Sequence, residues 1–215
     1  EELTREERVY GLAQVWAGVK YNFAGFDLVP DLDWDAAFRE YLPEAAKEQT
    51  KAEYYRLLQR FVALLKDNHT RVNVPWDVRE KIDLPPVAVG CIAGRPVILD
   101  AARSDEIQKA KVAAGMEIVE VDGRAAADVL EEMLPYIAES TPQARQWHAC
   151  SRILEGPRGG AVRVKLRDVE GNVRTVTLTR DSRTQEGQRF HSRPPVVEVR
   201  RLAEEKIDHP NTVVG

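Results

Sequence analysis

Residues 161–180 carry the pattern that most restricts the fold. Val162, Val164 and Leu166 alternate with Arg163, Lys165 and Arg167; after Glu170-Gly171-Asn172, Val173, Val176 and Leu178 return. A period of two sends one set of side chains to each face of a strand, so the segment predicts a hairpin with an apolar face and a charged face. Upstream, Ile118, Val119 and Val121 form a short β-branched run that stops at Asp122-Gly123, the dipeptide that most readily supplies the positive φ angles of a tight turn. Gly156-Pro157-Arg158-Gly159-Gly160 leads into the hairpin and Leu178-Thr179-Arg180 closes it. Strands are also predicted over 87–92 and 97–101, with helices over 125–134 and 143–154 separated by Pro135 and Pro142.

The first third reads differently. Thr4 with Glu7 and Thr50 with Glu53 are capping boxes, in which a side-chain hydroxyl and a carboxylate satisfy each other's backbone N–H groups at a helix start. Behind the first, Leu12, Trp16, Val19 and Phe23 recur at helical spacing; behind the second, Tyr54, Leu57, Leu58, Phe61 and Leu65 do. Between them Asp33 is an N-cap for Trp34, Ala37, Phe38 and Tyr41, a helix expected to stop at Pro43. Three apolar stripes predict a small helical bundle. Val72-Asn73-Val74-Pro75 reads as a short edge strand, and the boundary between the two parts is expected between Trp76 and Pro86.

Composition narrows the function classes. With 43% apolar and 31% charged residues the chain matches an ordinary globular protein, and its charge of −4 gives no general attraction to nucleic acid. From Arg158 to Arg201 there are eleven Lys/Arg against five Asp/Glu. Phe190 stands alone near those charges and no series of aromatic residues interleaves with them to stack bases, so the run reads as a solvated face. No apolar run reaches the roughly 18 residues of a membrane span. Cys91 and Cys150 lack zinc or redox spacing and read as two buried thiols, with a single disulfide left open. His148, His191 and His209 have no ligand-like spacing to each other or to carboxylates, so no metal and no cofactor is expected.

The order strand, Asp-Gly turn, helix, Gly-Pro-x-Gly-Gly, hairpin, Leu-Thr-Arg resembles the PDZ-like domain of bacterial processing proteases. The runs Val15-Trp16-Ala17-Gly18-Val19-Lys20-Tyr21, Asp33-Trp34-Asp35-Ala36-Ala37-Phe38 and Leu65-Lys66-Asp67-Asn68-His69-Thr70 are similar to the N-terminal domain of C-terminal processing peptidases, in particular tricorn-like ones. The resemblance implies an α+β fold: a helical domain over 1–80, a PDZ-like β-sandwich or barrel domain with helices over 85–181, and in 182–215 a linker with the start of a catalytic α/β domain. A chain opening on Glu without a signal-peptide pattern is accordingly expected to be a piece of a longer polypeptide. A periplasmic or secreted location is suggested by the resemblance alone.

The same resemblance makes His69 the general base, in a segment of the pattern Asp/Ser-x-His-Ser/Thr. Imidazole suits that task because its unperturbed pKa lies near neutrality. Relatives commonly carry glycine where this chain has Asn68, and Asn is the non-glycine residue that best tolerates the left-handed conformation that ends helices, so the substitution is mild. Ser104, Ser140, Ser151, Ser182 and Ser192 all lack a nucleophile elbow or a Ser-x-x-Lys pairing, so the nucleophile is expected outside this chain. PDZ domains add an extended peptide as a strand, and the segment Pro85 to Cys91, with Val87, Val89 and Ile92, is the candidate peptide site. Expected partners are a peptide or protein C-terminus and the missing catalytic domain, with a homo-oligomer left open. The alternative is a free-standing PDZ-like adaptor without enzymatic activity.

Overall fold

In the computed structural model, which describes residues 2–78 and 81–181, both capping boxes sit at helix starts. Helix α1 (Arg5–Asn22) begins at Thr4 and α3 (Lys51–Ala63) at Thr50, each with the reciprocal Thr and Glu bonds made. Between them α2 (Trp34–Ala46) starts at Asp33, whose side chain accepts from the Ala36 N–H. Pro43 does not end α2. It removes one backbone donor, but the last turn is held by Ala45, fully buried, whose carbonyl accepts from Arg8 Nε at 3.1 Å.

The helical core is aromatic. Trp34 stacks on Phe61 with ring centroids 4.2 Å apart, Tyr41 lies 5.0 Å from Phe61, and Trp16 stacks on Phe38 at 5.0 Å. Polar tips complete the packing, as rings with a donor require: Trp34 Nε1 donates to the Trp16 carbonyl and Tyr54 Oη to the Arg8 carbonyl. Leu65 lies past the end of α3 yet is buried with this core. Residues 71–75 form no strand. Val72 packs instead against the helical cluster, and among the described residues no strand pairs with it.

The rest of the chain builds an antiparallel sheet: β1 (Ile82–Asp83), β2 (Val87–Ile92), β3 (Arg95–Ala101), β4 (Glu117–Val121), β5 (Arg124–Ala125), β6 (Gly156–Pro157), β7 (Ala161–Arg167) and β8 (Val173–Thr179). The main sheet runs β2-β3-β4-β7-β8, β5 pairs with β4, and β1 with β6 forms a separate ribbon. Helices α4 (Asp105–Ala110), α5 (Ala126–Met133) and α6 (Pro142–Arg152) cover it. The fold class is thus α+β. Asp122 and Gly123 have φ of 51° and 83° and Ala93 and Gly94 of 49° and 78°, so both tight turns use left-handed pairs.

Val162, Val164, Leu166 and Leu178 are fully buried, as the alternation predicted, but Val173 is 50% exposed. Val173 faces Arg167 across the ladder, on the charged face; Arg174 takes the inner position and donates to the Lys111 carbonyl. The glycine motif has a packing reason. A Cβ at Gly156 would lie 2.5 Å from Arg180 Cζ, and the buried Arg180 guanidinium donates to the Leu154 carbonyl at 2.8 Å and the Ala161 carbonyl at 2.9 Å. Glycine and arginine therefore lock the two ends of the hairpin to the end of α6. Cys91 and Cys150 are free thiols; burial, then a side-chain hydrogen bond with Cys91, pushes the Cys150 thiol up to about 12. The linker and start of a catalytic domain expected over 182–215 lie outside the described residues.

Candidate functional site

Helix α3 ends in a turn centred on Lys66, whose φ is 50°. Lys66, not Asn68, takes the left-handed position; the two residues exchange roles because the buried Leu65 anchors the chain one turn earlier. The turn that follows is built by Asp67. Its Oδ1 accepts from the His69 backbone N–H at 3.2 Å and lies 3.1 Å from His69 Nδ1, and its Oδ2 accepts from the Thr70 hydroxyl at 2.5 Å. Short polar side chains that bond their own backbone two residues on make such turns. The Thr70 hydroxyl first, and the His69 N–H and ring after it, hold the Asp67 carboxyl below its ordinary value of 3.8.

These contacts select a tautomer. An ionised Asp67 only accepts, so the facing Nδ1 carries the proton and a neutral ring keeps its lone pair on Nε2. The His69 side chain is 88% exposed, so Nε2 faces outward from the helical part. Sequence reading singled out His69 but missed Asp67. The signal was the Asp-x-His-Thr order itself, in which aspartate can reach both the N–H and the ring of the residue two places on.

Asn68, Thr70 and Arg71, but not His69 itself, line a cleft of about 370 Å³ together with Glu139, His148 and Arg152. His148 Nδ1 lies 2.9 Å from Glu139 Oε1, and Arg152 Nε donates to Glu155 Oε2 at 2.8 Å. Arg152 also borders a second cleft of about 640 Å³ between α3, the segment 72–78 and the β1–β6 ribbon. The proposed peptide residues lie elsewhere and line neither cleft. Val87 and Val89 are 5% and 3% exposed, with side chains in the sheet core, whereas Ile92 is 51% exposed at the end of β2. What β2 offers outward is its backbone. Among the described residues it pairs only with β3 and is an edge strand of their sheet. Among the described residues no group of three or more His, Cys, Asp and Glu could hold a metal ion, and no helix is long and apolar enough to cross a membrane.

No protein-family model and no curated protein sequence matches the chain. Among solved structures, mature CPAF matches with a TM-score of 0.64 at 17% identity, over 81% of this chain and 34% of CPAF. A photosystem II D1 C-terminal processing protease matches at 0.43 and 21% identity, over 81% of this chain and 44% of the protease. A PDZ domain of a carboxy-terminal protease from Vibrio cholerae, in complex with a peptide, matches at 0.29 and 14% identity, over 46% of this chain and 94% of the domain. At such identities the CPAF likeness speaks for the fold alone. This chain spans about a third of the CPAF chain, and its backbone has the fold of that part of CPAF.

Proposed function

We propose that this chain is the non-catalytic part of a serine peptidase: residues 1–80 present His69 as general base, and residues 85–181 form a PDZ-like unit that positions an extended peptide. The observation that carries the reading is the outward-facing His69 held through Nδ1 by Asp67. A base whose ring is oriented by a carboxylate while Nε2 stays open is the arrangement that activates a serine hydroxyl for acyl transfer. The shared fold with CPAF and the ordered motifs of the sequence support it. The nucleophile belongs to chain outside these residues, so this part binds and orients while another part cuts. Peptide adds to the free edge of β2 through backbone hydrogen bonds, with Ile92 at the exposed end of the strand.

In the full-length polypeptide, His69→Ala is expected to lower turnover by roughly 10² to 10⁴-fold, or more if His69 acts as a unit with the serine. Because the side chain is exposed, the thermal midpoint should hardly move. Asp67→Asn, which no longer fixes the tautomer, is expected to reduce turnover as well. A His69→Ala protein that cuts at the parental rate would remove the histidine from the mechanism.

A further inference from the structure

Helix α6 packs beside β2, the strand whose second edge has no strand partner among the described residues. Contacts from α6 line the seam between them. Gln146 Nε2 donates to the Gly94 carbonyl at 3.3 Å, at the tip of the β2–β3 hairpin. The six-membered ring of Trp147 reaches from α6 to the strand and lies over Gly90: a Cβ there would meet Trp147 Cη2 at 2.7 Å, Cζ3 at 2.9 Å and Leu99 Cδ1 at 2.5 Å. Below it, Cys91 of β2 packs against the core cluster that contains Cys150 of α6. Glycine at 90 is what allows the indole to sit this deep. Trp147 nevertheless remains half-buried, whereas Ala149 and Cys150 beside it are fully buried in the core. It covers the surface of the seam and does not fill the core beneath.

An extended peptide that adds to β2 lies beside that strand, on the side where the Trp147 ring reaches from α6 to Gly90. We propose that Trp147 is a built-in occupant of the strand–helix groove, and that a peptide binds there only by displacing it from Gly90. This deepens the peptide-positioning reading and rests on it. The seam then has a closed state with Trp147 on Gly90 and an open state with the indole swung out. A ligand that binds only the open state has its apparent affinity reduced by the open fraction. Minor states of this kind are commonly populated at about 0.1–10%, so the indole weakens peptide binding by about tenfold or more. The preferred ligand has a large apolar side chain at the position that meets Gly90, since it must replace the indole against Leu99.

The test uses the full chain and a library of peptides with free C-termini, measured by fluorescence anisotropy. Trp147→Ala is expected to tighten binding by about tenfold or more, with the gain greatest for peptides carrying a large apolar residue near the terminus. Unchanged or weaker binding by a folded Trp147→Ala protein would overturn the gate. If that variant melts early, the native chain decides: with 5-fluorotryptophan incorporated and the Trp147 resonance assigned by Trp147→Phe, saturating peptide should shift that resonance. A resonance that stays in place while peptide binds would overturn the gate equally. Failure of the underlying reading looks different. In that case neither protein binds any peptide at millimolar concentration, and the groove and its gate fall together.

Discussion

The two hydrophobic clusters among the described residues are made of different material. The helical one is built around Trp34, Tyr41, Tyr54 and Phe61, whereas the sheet cluster contains no aromatic residue and consists of Val, Ile, Leu, Ala, Met and Cys. Strands place β-branched residues on a pleated face, where they interlock by shape. Short helices of about 13 residues present few side chains each, and large rings cover the gap between them. Each cluster also encloses an arginine. Arg8 is 5% exposed and donates to the Ala45 and Leu3 carbonyls; Arg180 is 7% exposed and donates to those of Leu154 and Ala161. Both use the guanidinium to satisfy carbonyls at the ends of elements, which periodic hydrogen bonding leaves unpaired.

The sharpest way to break this comparison is to remove the centre of one cluster and watch the other. Phe61 is fully buried between Trp34 and Tyr41, so Phe61→Ala should cost about 3–5 kcal/mol. Amide exchange in β7 and β8 should persist while protection in α1 to α3 is lost. Concerted loss in both regions would show one cooperative unit in place of two.

The next effect is smaller and lies in the sheet. Gly156→Ala pushes a methyl group against Arg180, an overpacking expected to cost about 1–3 kcal/mol. Arg180→Met leaves the Leu154 and Ala161 carbonyls without their donor, at about 1–3 kcal/mol. The two are coupled through one contact, so in the Arg180→Met background Gly156→Ala should cost much less than it does alone. Urea unfolding of the four proteins measures this. Strict additivity would mean that the glycine is required by its backbone and not by the arginine.

What could be read from the sequence divides along the same line between local and distant causes. The capping boxes, the Asp-Gly turn and the burial of Val162, Val164 and Leu166 follow from residues within a few positions of each other. Helix α4, six residues long, escaped because its one strong signal is Ser104 at the N-cap. The β1–β6 ribbon pairs Ile82 with Pro157, and no local pattern announces a partner that far away. Val173 was assigned to the wrong face because Val173 and Val176 are three apart, an odd spacing that cannot share a strand face. At the site, the histidine was legible and its aspartate was not, although both lie in one five-residue turn. Trp147 read as an ordinary helix residue, since its seat on Gly90 exists only once α6 is docked on β2.

The smallest expected effect separates the two regions by acid. Five carboxyls among the described residues of the helical part and its following segment are held below their ordinary values: Glu7 and Glu53 by the Thr4 and Thr50 backbone N–H groups, Asp35 by Lys20, Asp67 by Thr70 and Asp77 by Lys51. In the sheet part Asp168 is held down in the same way, by the Asn172 side chain. A carboxyl depressed in the folded state contributes stability that is present above its unfolded pKa and is lost as pH falls through the folded one, because the unfolded chain then binds more protons. The ordinary values are 3.8 for Asp and 4.5 for Glu, so the loss begins as pH drops past that range and should fall mainly on α1 to α3. Thr50→Ala sharpens the point. It should cost about 0.5–2 kcal/mol at neutral pH through the lost cap, and it should flatten the acid dependence in part, since Glu53 loses the Thr50 hydroxyl but keeps the Thr50 backbone N–H, the larger cause of its lowering. Exchange protection of α3 measured from pH 7 down to 3, in the parent and in Thr50→Ala, gives both slopes. If the sheet loses protection first, or the two slopes coincide, the capping carboxylates are not what makes the helical part acid-sensitive.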